Sequence, residues 1–409
     1  MKNFKDSGIE WLGEISEHWE VVTLKYLVEK IIGGGTPDTS NLDYWTNNKE
    51  DGYLWVSIED ITKSSFITDT KRYITQNGLK SSSAKLIPPF SILYSIYASL
   101  GKIAYSDQIL TTNQAILGIQ SNHKLVFYKF LFYYLCNTTN YVTILSSMTT
   151  QNNISLSVVA NLKIPLPPLK EQEQIANFLD EKCEQIKNFI EKKEKLINLL
   201  KEQKQALINE TIAKGLDKNV NFKDSGIEDL GEIPQHWEVR KLKYLATIYN
   251  GKDQSYITSN DGTFPIYGSG GIIGKTHQFL YDKQSVLLGR KGTIDKPLFV
   301  EIPFWTIDTM FYTKISCSTY PKYFYYLCLT IDFKTYISGS AIPSMTQSDL
   351  IEIIFPFAPL KEQEQIANFL DEKCEKIDLL IEKTEKQIKL IKEYKTTLIN
   401  QAVCGRISL

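Results

Sequence analysis

PLKEQEQIANFLDEKC, at Pro168–Cys183, returns unchanged at Pro359–Cys374, 191 residues further along the chain. A second echo, NFKDSGIE, stands at Asn3–Glu10 and again at Asn221–Glu228, an offset of 218. The offsets differ by 27, so a frame has been duplicated while the parts it encloses have changed length. Solenoid repeats recur every 20–50 residues or so, far too often to explain either spacing.

Both copies of the first echo continue for about 40 residues without proline or internal glycine, which predicts two long helices. Apolar positions then follow alternating steps of three and four: Cys183, Ile186, Ile190, Ile197, Leu200 and Leu207, with Lys193 and Lys204 in two slots. The second copy gives Cys374, Ile377, Ile381, Ile388, Ile391 and Leu398, with Thr384 and Lys395 in those slots. Such a stripe is a heptad seam and wants a partner helix. Pro168 and Pro359 stand where a helix tolerates proline, and Glu171, Glu173, Glu362 and Glu364 suit its positive first turn. Each helix could simply pack on its own globular part. Two copies, each following a globular part, fit better as an intramolecular antiparallel coiled coil. That would be a rod of roughly 60 Å, with one module at each end and an approximate two-fold axis between them.

The expected fold class is therefore mixed α/β, internally duplicated. The expected divisions are a lead-in over 1–20, a first module over 21–167, a first helix and linker over 168–218, a second lead-in over 219–238, a second module over 239–358, and a second helix and tail over 359–409. In the modules, YLWVSIEDI, SILYSIYASLGKIAYS, TTNQAILGIQ, FPIYGSG, QSVLLGRKGTID and FWTIDTMFYTKI read as strands. VFYKFLFYYLC and PKYFYYLCLTI read as matching buried helices, which supports one fold used twice.

A chain of 409 residues, 43% apolar and 23% charged, can bury two or three cores. Net charge is −1, yet each module carries 12 basic and 9 acidic residues, net +3, masked by acidic lead-ins of −3 and −4. That balance permits a polyanionic partner without demanding one. No run reaches transmembrane length and the N-terminus has no signal-like apolar core. Six cysteines without C-x-x-C spacing point to a reducing, cytoplasmic setting and away from structural zinc.

Catalytic constellations do not assemble. GSGGIIGKT at Gly268–Thr276 has Ser269 where a Walker loop needs glycine, and the HQFLYDKQ after it is a poor helix opening. IPPF at Ile87–Phe90 lacks the polar residue of an amino-methyltransferase signature and reads as a turn. Pro37-Asp38 with Asp69-Thr70-Lys71 spaces poorly for a metal nuclease, and four histidines support no nucleophile–base pair. A fused nuclease or methyltransferase would need a carboxylate cluster or methyl-donor loop. A pure coiled-coil adaptor would gain nothing from two divergent, mildly basic modules.

Recognition remains. Arg290 and Lys291 sit on the tight turn Gly289–Gly292, where arginine can fork onto guanine and lysine can meet phosphate. Ser269 and Lys275 lie in the neighbouring glycine-rich run. In the first module Thr36, Lys63, Lys71, Arg72, Lys80, Lys85 and Lys102 mark candidate contact loops. For each of these the plain alternative is a surface group that aids solubility.

With its paired PLKEQEQIANFLDEK and WLGEISEHWE/DLGEIPQHWE segments, the GGTP turn at Gly34–Pro37, Asn113-Gln114, YGSGGIIG and LLGRKGT, the chain closely resembles the specificity subunit of Type I restriction–modification systems over essentially its whole length. The resemblance implies a non-catalytic DNA-binding subunit with two target-recognition domains, each reading half of a bipartite sequence, and helices that set the gap. It implies two modification subunits, which bring S-adenosylmethionine, and a restriction subunit; no cofactor belongs to this chain. SIYASLGK at Ser95–Lys102 departs from a more polar, basic stretch usual in the family. Recognition residues vary with target, and Arg290 is the leading candidate.

Overall fold

The computed structural model describes residues 3–97, 99–147, 153–228, 230–336 and 343–407. It divides into two compact units: residues 1–192 with 387–409, and residues 193–386.

The first unit opens with a hairpin, Phe4–Asp6 against Glu14–Ser16. The strand Glu20–Thr23 then pairs antiparallel with Lys163–Leu166, bringing the two edges of the module's sequence together. Between them lies an antiparallel sheet in the order 28–33, 116–121, 91–95, 103–106. Its strand Ser91–Ser95 is buried at every position, as its continuous apolar run requires. A smaller sheet holds Leu110–Thr112 parallel to Tyr53–Val56, followed by Tyr73–Ile74 and Trp45–Thr46. The aromatic helix Tyr128–Asn137 is buried from Phe130 through Leu135.

The second unit repeats this order. Phe222–Asp224 pairs with Glu232–Pro234 and Glu238–Lys241 with Ile354–Phe357. The main sheet runs 246–250, 310–315, 285–289, 298–300. Trp305–Thr306 lies parallel to Phe264–Gly268, which pairs with Gly271–Thr276. Pro321 starts the aromatic helix Pro321–Cys328, a position where its missing N–H costs nothing. Mixed α/β architecture, duplicated, is what the two echoes predict.

All six strand expectations need shortening. FPIYGSG is strand over Phe264–Gly268, TTNQAILGIQ is divided between Leu110–Thr112 and Ile116–Ser121, and FWTIDTMFYTKI between Trp305–Thr306 and Met310–Ile315. YLWVSIEDI is strand only to Val56; Ile58–Lys63 is helix, started by a capping box in which Asp60 accepts from Ser57 N and Oγ at 2.8 and 2.7 Å. SILYSIYASLGKIAYS is two strands, Ser91–Ser95 and Ile103–Ser106, and Ala98 between them lies outside the described residues. QSVLLGRKGTID is strand only over Ser285–Gly289. The run at Gly268–Thr276 is a β-hairpin edge, with no helix for a phosphate loop to cap.

The repeat helices span Leu169–Lys214 and Leu360–Val403, 46 and 44 residues. All sixteen seam positions are buried or half-buried, including Lys193, Lys204, Thr384 and Lys395, while nearly every position between them is exposed. In the first unit Ile186 and Ile190 join a core with Ile391 and Leu398. In the second Leu207 and Ile208 join one with Leu370 and Cys374, and Lys204 reaches Asp378 at 2.6 Å. Each helix ends on a left-handed glycine, φ 73° at Gly215 and 72° at Gly405. Gly215 lies against the Trp237 ring and Gly405 against Trp19, both tryptophans fully buried. Among the described residues no helix is long and apolar enough to cross a membrane.

Candidate nucleic-acid interface

Three contacts tie each lead-in and module to the start of its repeat helix, and all occur twice. His18 Nε2 lies 2.8 Å from Glu171, and His236 Nε2 lies 2.8 Å from Glu362. Gln172 and Gln363 are fully buried; they accept from Phe127 N and Tyr320 N at 2.7 and 2.8 Å and donate to Pro167 O and Ala358 O at 2.8 Å. Asp180 takes Lys129 Nζ and the Tyr133 hydroxyl, at 2.5 and 2.6 Å; Asp371 takes Lys322 Nζ and the Tyr326 hydroxyl, at 2.6 and 2.7 Å. Burial first, then the carboxylate, pushes both phenols far above the ordinary tyrosine range. Glutamates expected to favour the helix dipole thus also hold the lead-ins.

On this fixed base the loops differ. In the first module the GGTP turn and Asn113-Gln114 meet. A side chain at Gly34 would strike Asn113 O at 2.0 Å, and Gly35 N donates to Thr112 O at 2.8 Å. Thr36 Oγ1 donates to Gln114 Oε1 at 2.5 Å. Trp55 Nε1 donates to Gly35 O and Trp45 Nε1 to Asp38 O, each at 3.0 Å, with the two indoles edge to face at 4.9 Å. Arg72 lies over Trp45 at 5.8 Å. The structure therefore brings Thr36 and Arg72 into one cluster, and adds Gln114, Trp45 and Trp55. Composition marks tryptophan as scarce, at six per chain, but nothing local says that these two share a cluster.

The other first-module candidates are placed by other contacts, although Lys85 follows Ala84, whose backbone N lies against Gly35. Lys63 and Lys71 both bind Glu59, at 2.6 Å and at 2.7 and 2.8 Å, and hold its carboxyl down to about 2. Lys102, in the turn between two strands, lines a concavity of about 290 Å³ together with Lys63, and neither tryptophan reaches it. Lys80 closes the short helix Gln76–Lys80 and Lys85 follows it, both exposed. Asp38 and Asp69 bond Ser40 and Tyr73, and no metal-holding cluster occurs among the described residues.

The second module repeats the frame with other side chains. A side chain at Gly251 would strike Ile307 O at 1.9 Å, and Lys252 N donates to Thr306 O at 2.8 Å. Trp305 Nε1 donates to Lys252 O at 2.9 Å. Arg290 and Lys291 donate their backbone N–H groups to Thr309 O, at 2.9 and 3.3 Å. Arg290 Nη1 reaches Asp308 O at 3.2 Å, and its guanidinium lies 5.9 Å from the Phe311 ring centre. A side chain at Gly292 would meet Ser269 Oγ at 3.1 Å, so Ser269, Arg290 and Lys291 converge as one cluster. Lys275 lies four residues along the strand from Gly271, about 13 Å away. Sequence reasoning missed Asp308, whose place beside Arg290 depends on how the strands meet.

The Type I restriction modification DNA specificity domain matches residues 16–202 and again 234–390. The chain belongs to that family. It is 25% identical to the Type I restriction enzyme MjaIX specificity subunit of Methanocaldococcus jannaschii, over 99% of this chain and 96% of that one. With the EcoprrI specificity subunit of Escherichia coli it shares 24% identity over 89% and 90% of the two chains. A solved chain from a type I R–M system superposes with a TM-score of 0.76 at 17% identity, covering 96% of this chain and 99% of that one. The HsdS subunit of Thermoanaerobacter tengcongensis gives 0.53 at 18% identity, covering 96% and 98%. These two structural likenesses concern the fold. The chain is thus a specificity subunit: a non-catalytic, DNA-recognising component of a Type I restriction–modification complex that works with methyltransferase and endonuclease subunits.

Proposed function

We propose that each module of this specificity subunit reads one half of a bipartite duplex DNA target, and that the repeat helices, paired antiparallel as a coiled coil, fix the gap. The observation that carries this reading is the twice-used latch. Residues identical in both copies hold two modules of one fold whose loop side chains differ. A frame of this kind serves two readers of different sequence.

In this reading the target-recognition domains are residues 21–167 and 239–358, the helices of 168–218 and 359–409 are the spacer, and the two modules are related by an approximate two-fold. Two modification subunits dock on the duplicated frame and supply S-adenosylmethionine chemistry; the restriction subunit joins that complex. Thr36 and Arg72 in the first module, and Ser269, Arg290 and Lys291 in the second, are the leading DNA contacts. Lys63, Lys71, Lys80, Lys102 and Lys275 are outlying contacts for phosphate, which bind without reading sequence.

The test is to express the subunit with its modification subunits and map methylated bases genome-wide. Exchange of residues 21–167 for another module should change one half of the motif, and exchange of 239–358 the other. A motif that survives both exchanges overturns the reading.

A further inference from the structure

One position is held alike in both modules yet filled differently. After Thr112 and Thr306, which accept from Gly35 N and Lys252 N, come Asn113 and Ile307, whose carbonyls press on Gly34 and Gly251. The next residue is Gln114 in one module and Asp308 in the other, both exposed. The backbone ahead of this position is pinned by the same contacts in each module, and the functional group at the position differs.

The surroundings suit each group to a different base. Thr36 Oγ1 donates to Gln114 Oε1, which orients the amide and leaves Nε2 without a partner among the described residues. One free lone pair and two free N–H groups match the N6 donor and N7 acceptor of adenine. The Asp308 carboxylate has no partner among the described residues, although Arg290 bonds its backbone carbonyl at 3.2 Å. An unpaired carboxylate on a surface that approaches phosphates raises the cost of binding, unless a base-edge donor meets it. Cytosine N4 is such a donor, and the adjoining guanidinium matches O6 and N7 of the paired guanine.

We propose that Gln114 and Asp308 are specificity-determining residues at one shared position: Gln114, positioned by Thr36, reads an adenine, and Asp308 reads a cytosine whose guanine partner is read by Arg290. This rests on the bipartite reading and names the groups that perform it.

Base-resolved methylation by the full complex provides the test, run on Asp308→Asn, Asp308→Ala, Gln114→Ala, Thr36→Val and Thr36→Ser. Asp308→Asn should lower cytosine preference at one position of one half-site by roughly 5- to 150-fold and admit adenine there. Asp308→Ala should weaken the preference without gaining another, because Arg290 still reads the paired guanine. Gln114→Ala and Thr36→Val should relax the same single position in the other half, and Thr36→Ser should retain it. An unchanged motif, or equal loss at every sequence, overturns the assignment. If module exchange moves the half-sites while these substitutions do not, only the assignment fails. If exchange also moves nothing, the bipartite reading fails with it.

Discussion

At the scale of residues, charge placement separates reading from neutralisation. Glu59 is held at about 2 by hydrogen bonds from Lys63 and then Lys71, and Glu352 at about 2 by Lys241 and then Lys243. Both carboxyls lie lower in the folded chain than their ordinary 4.5, so the unfolded chain takes up protons first. Their stabilising contribution is present above about 4.5 and is lost as pH falls through about 2. Side-chain carbon shifts should titrate near 2 at low salt and move towards 4.5 as salt rises, because both groups are exposed and screened. Arg290 and Lys291 should separate in the same kind of measurement on DNA. Arg290→Ala should cost about 1–3 kcal/mol of discrimination at one base pair. Lys291→Ala should weaken all sequences alike and flatten the salt slope by about 0.9.

At the scale of elements, the repeat helices are the most legible part of the sequence, because a seam depends only on local periodicity. Every slot named from the three-and-four spacing is at least half-buried, lysines included. The aromatic helices are legible from composition instead, because their near-continuous aromatic runs call for burial on every side, as at Phe130–Leu135. The latch is half-legible: Asp180 and Asp371 stand in the identical stretch, but their partners Lys129, Tyr133, Lys322 and Tyr326 lie about 45–51 residues upstream. Removing either carboxylate leaves a half-buried ammonium and a phenol unpaired. Asp180→Ala and Asp371→Ala should each cost about 1.5–3 kcal/mol, read from urea unfolding. Two left-handed glycines, Gly405 after a helix and Gly8 in the loop of the opening hairpin, give a second comparison. Gly405→Ala meets an unfavourable φ and a Trp19 ring carbon 2.8 Å away, whereas Gly8→Ala meets φ 65° with open space. Gly8→Ala should cost about 1–2 kcal/mol and Gly405→Ala clearly more.

At the scale of the whole molecule, duplication is visible from two echoes, but the recognition loops are not. Thr36 meets Gln114 across 78 residues, and Arg290 meets Asp308 across 18, through strand pairings that no local pattern specifies. YLWVSIEDI reads as strand throughout because its apolar run outweighs the Ser57/Asp60 capping signal within it. Burial across the chain also makes a simple forecast. All six cysteines are free, and only Cys317 is exposed. Burial pushes the thiol of Cys136 up to about 12 and that of Cys404 up to about 11. A thiol reagent should therefore modify one cysteine in the native chain and six after unfolding.

The latch has a consequence for heredity. Every group that fastens a module to its helix at that latch is present in both copies, and none belongs to the loops that differ. A crossover within the stretch encoding PLKEQEQIANFLDEKC, between two genes of this kind, would join the first module of one to the second of another. The product would inherit working joints on both sides. A new combination of loops then arises in one genetic event, with no intermediate that must fold badly first.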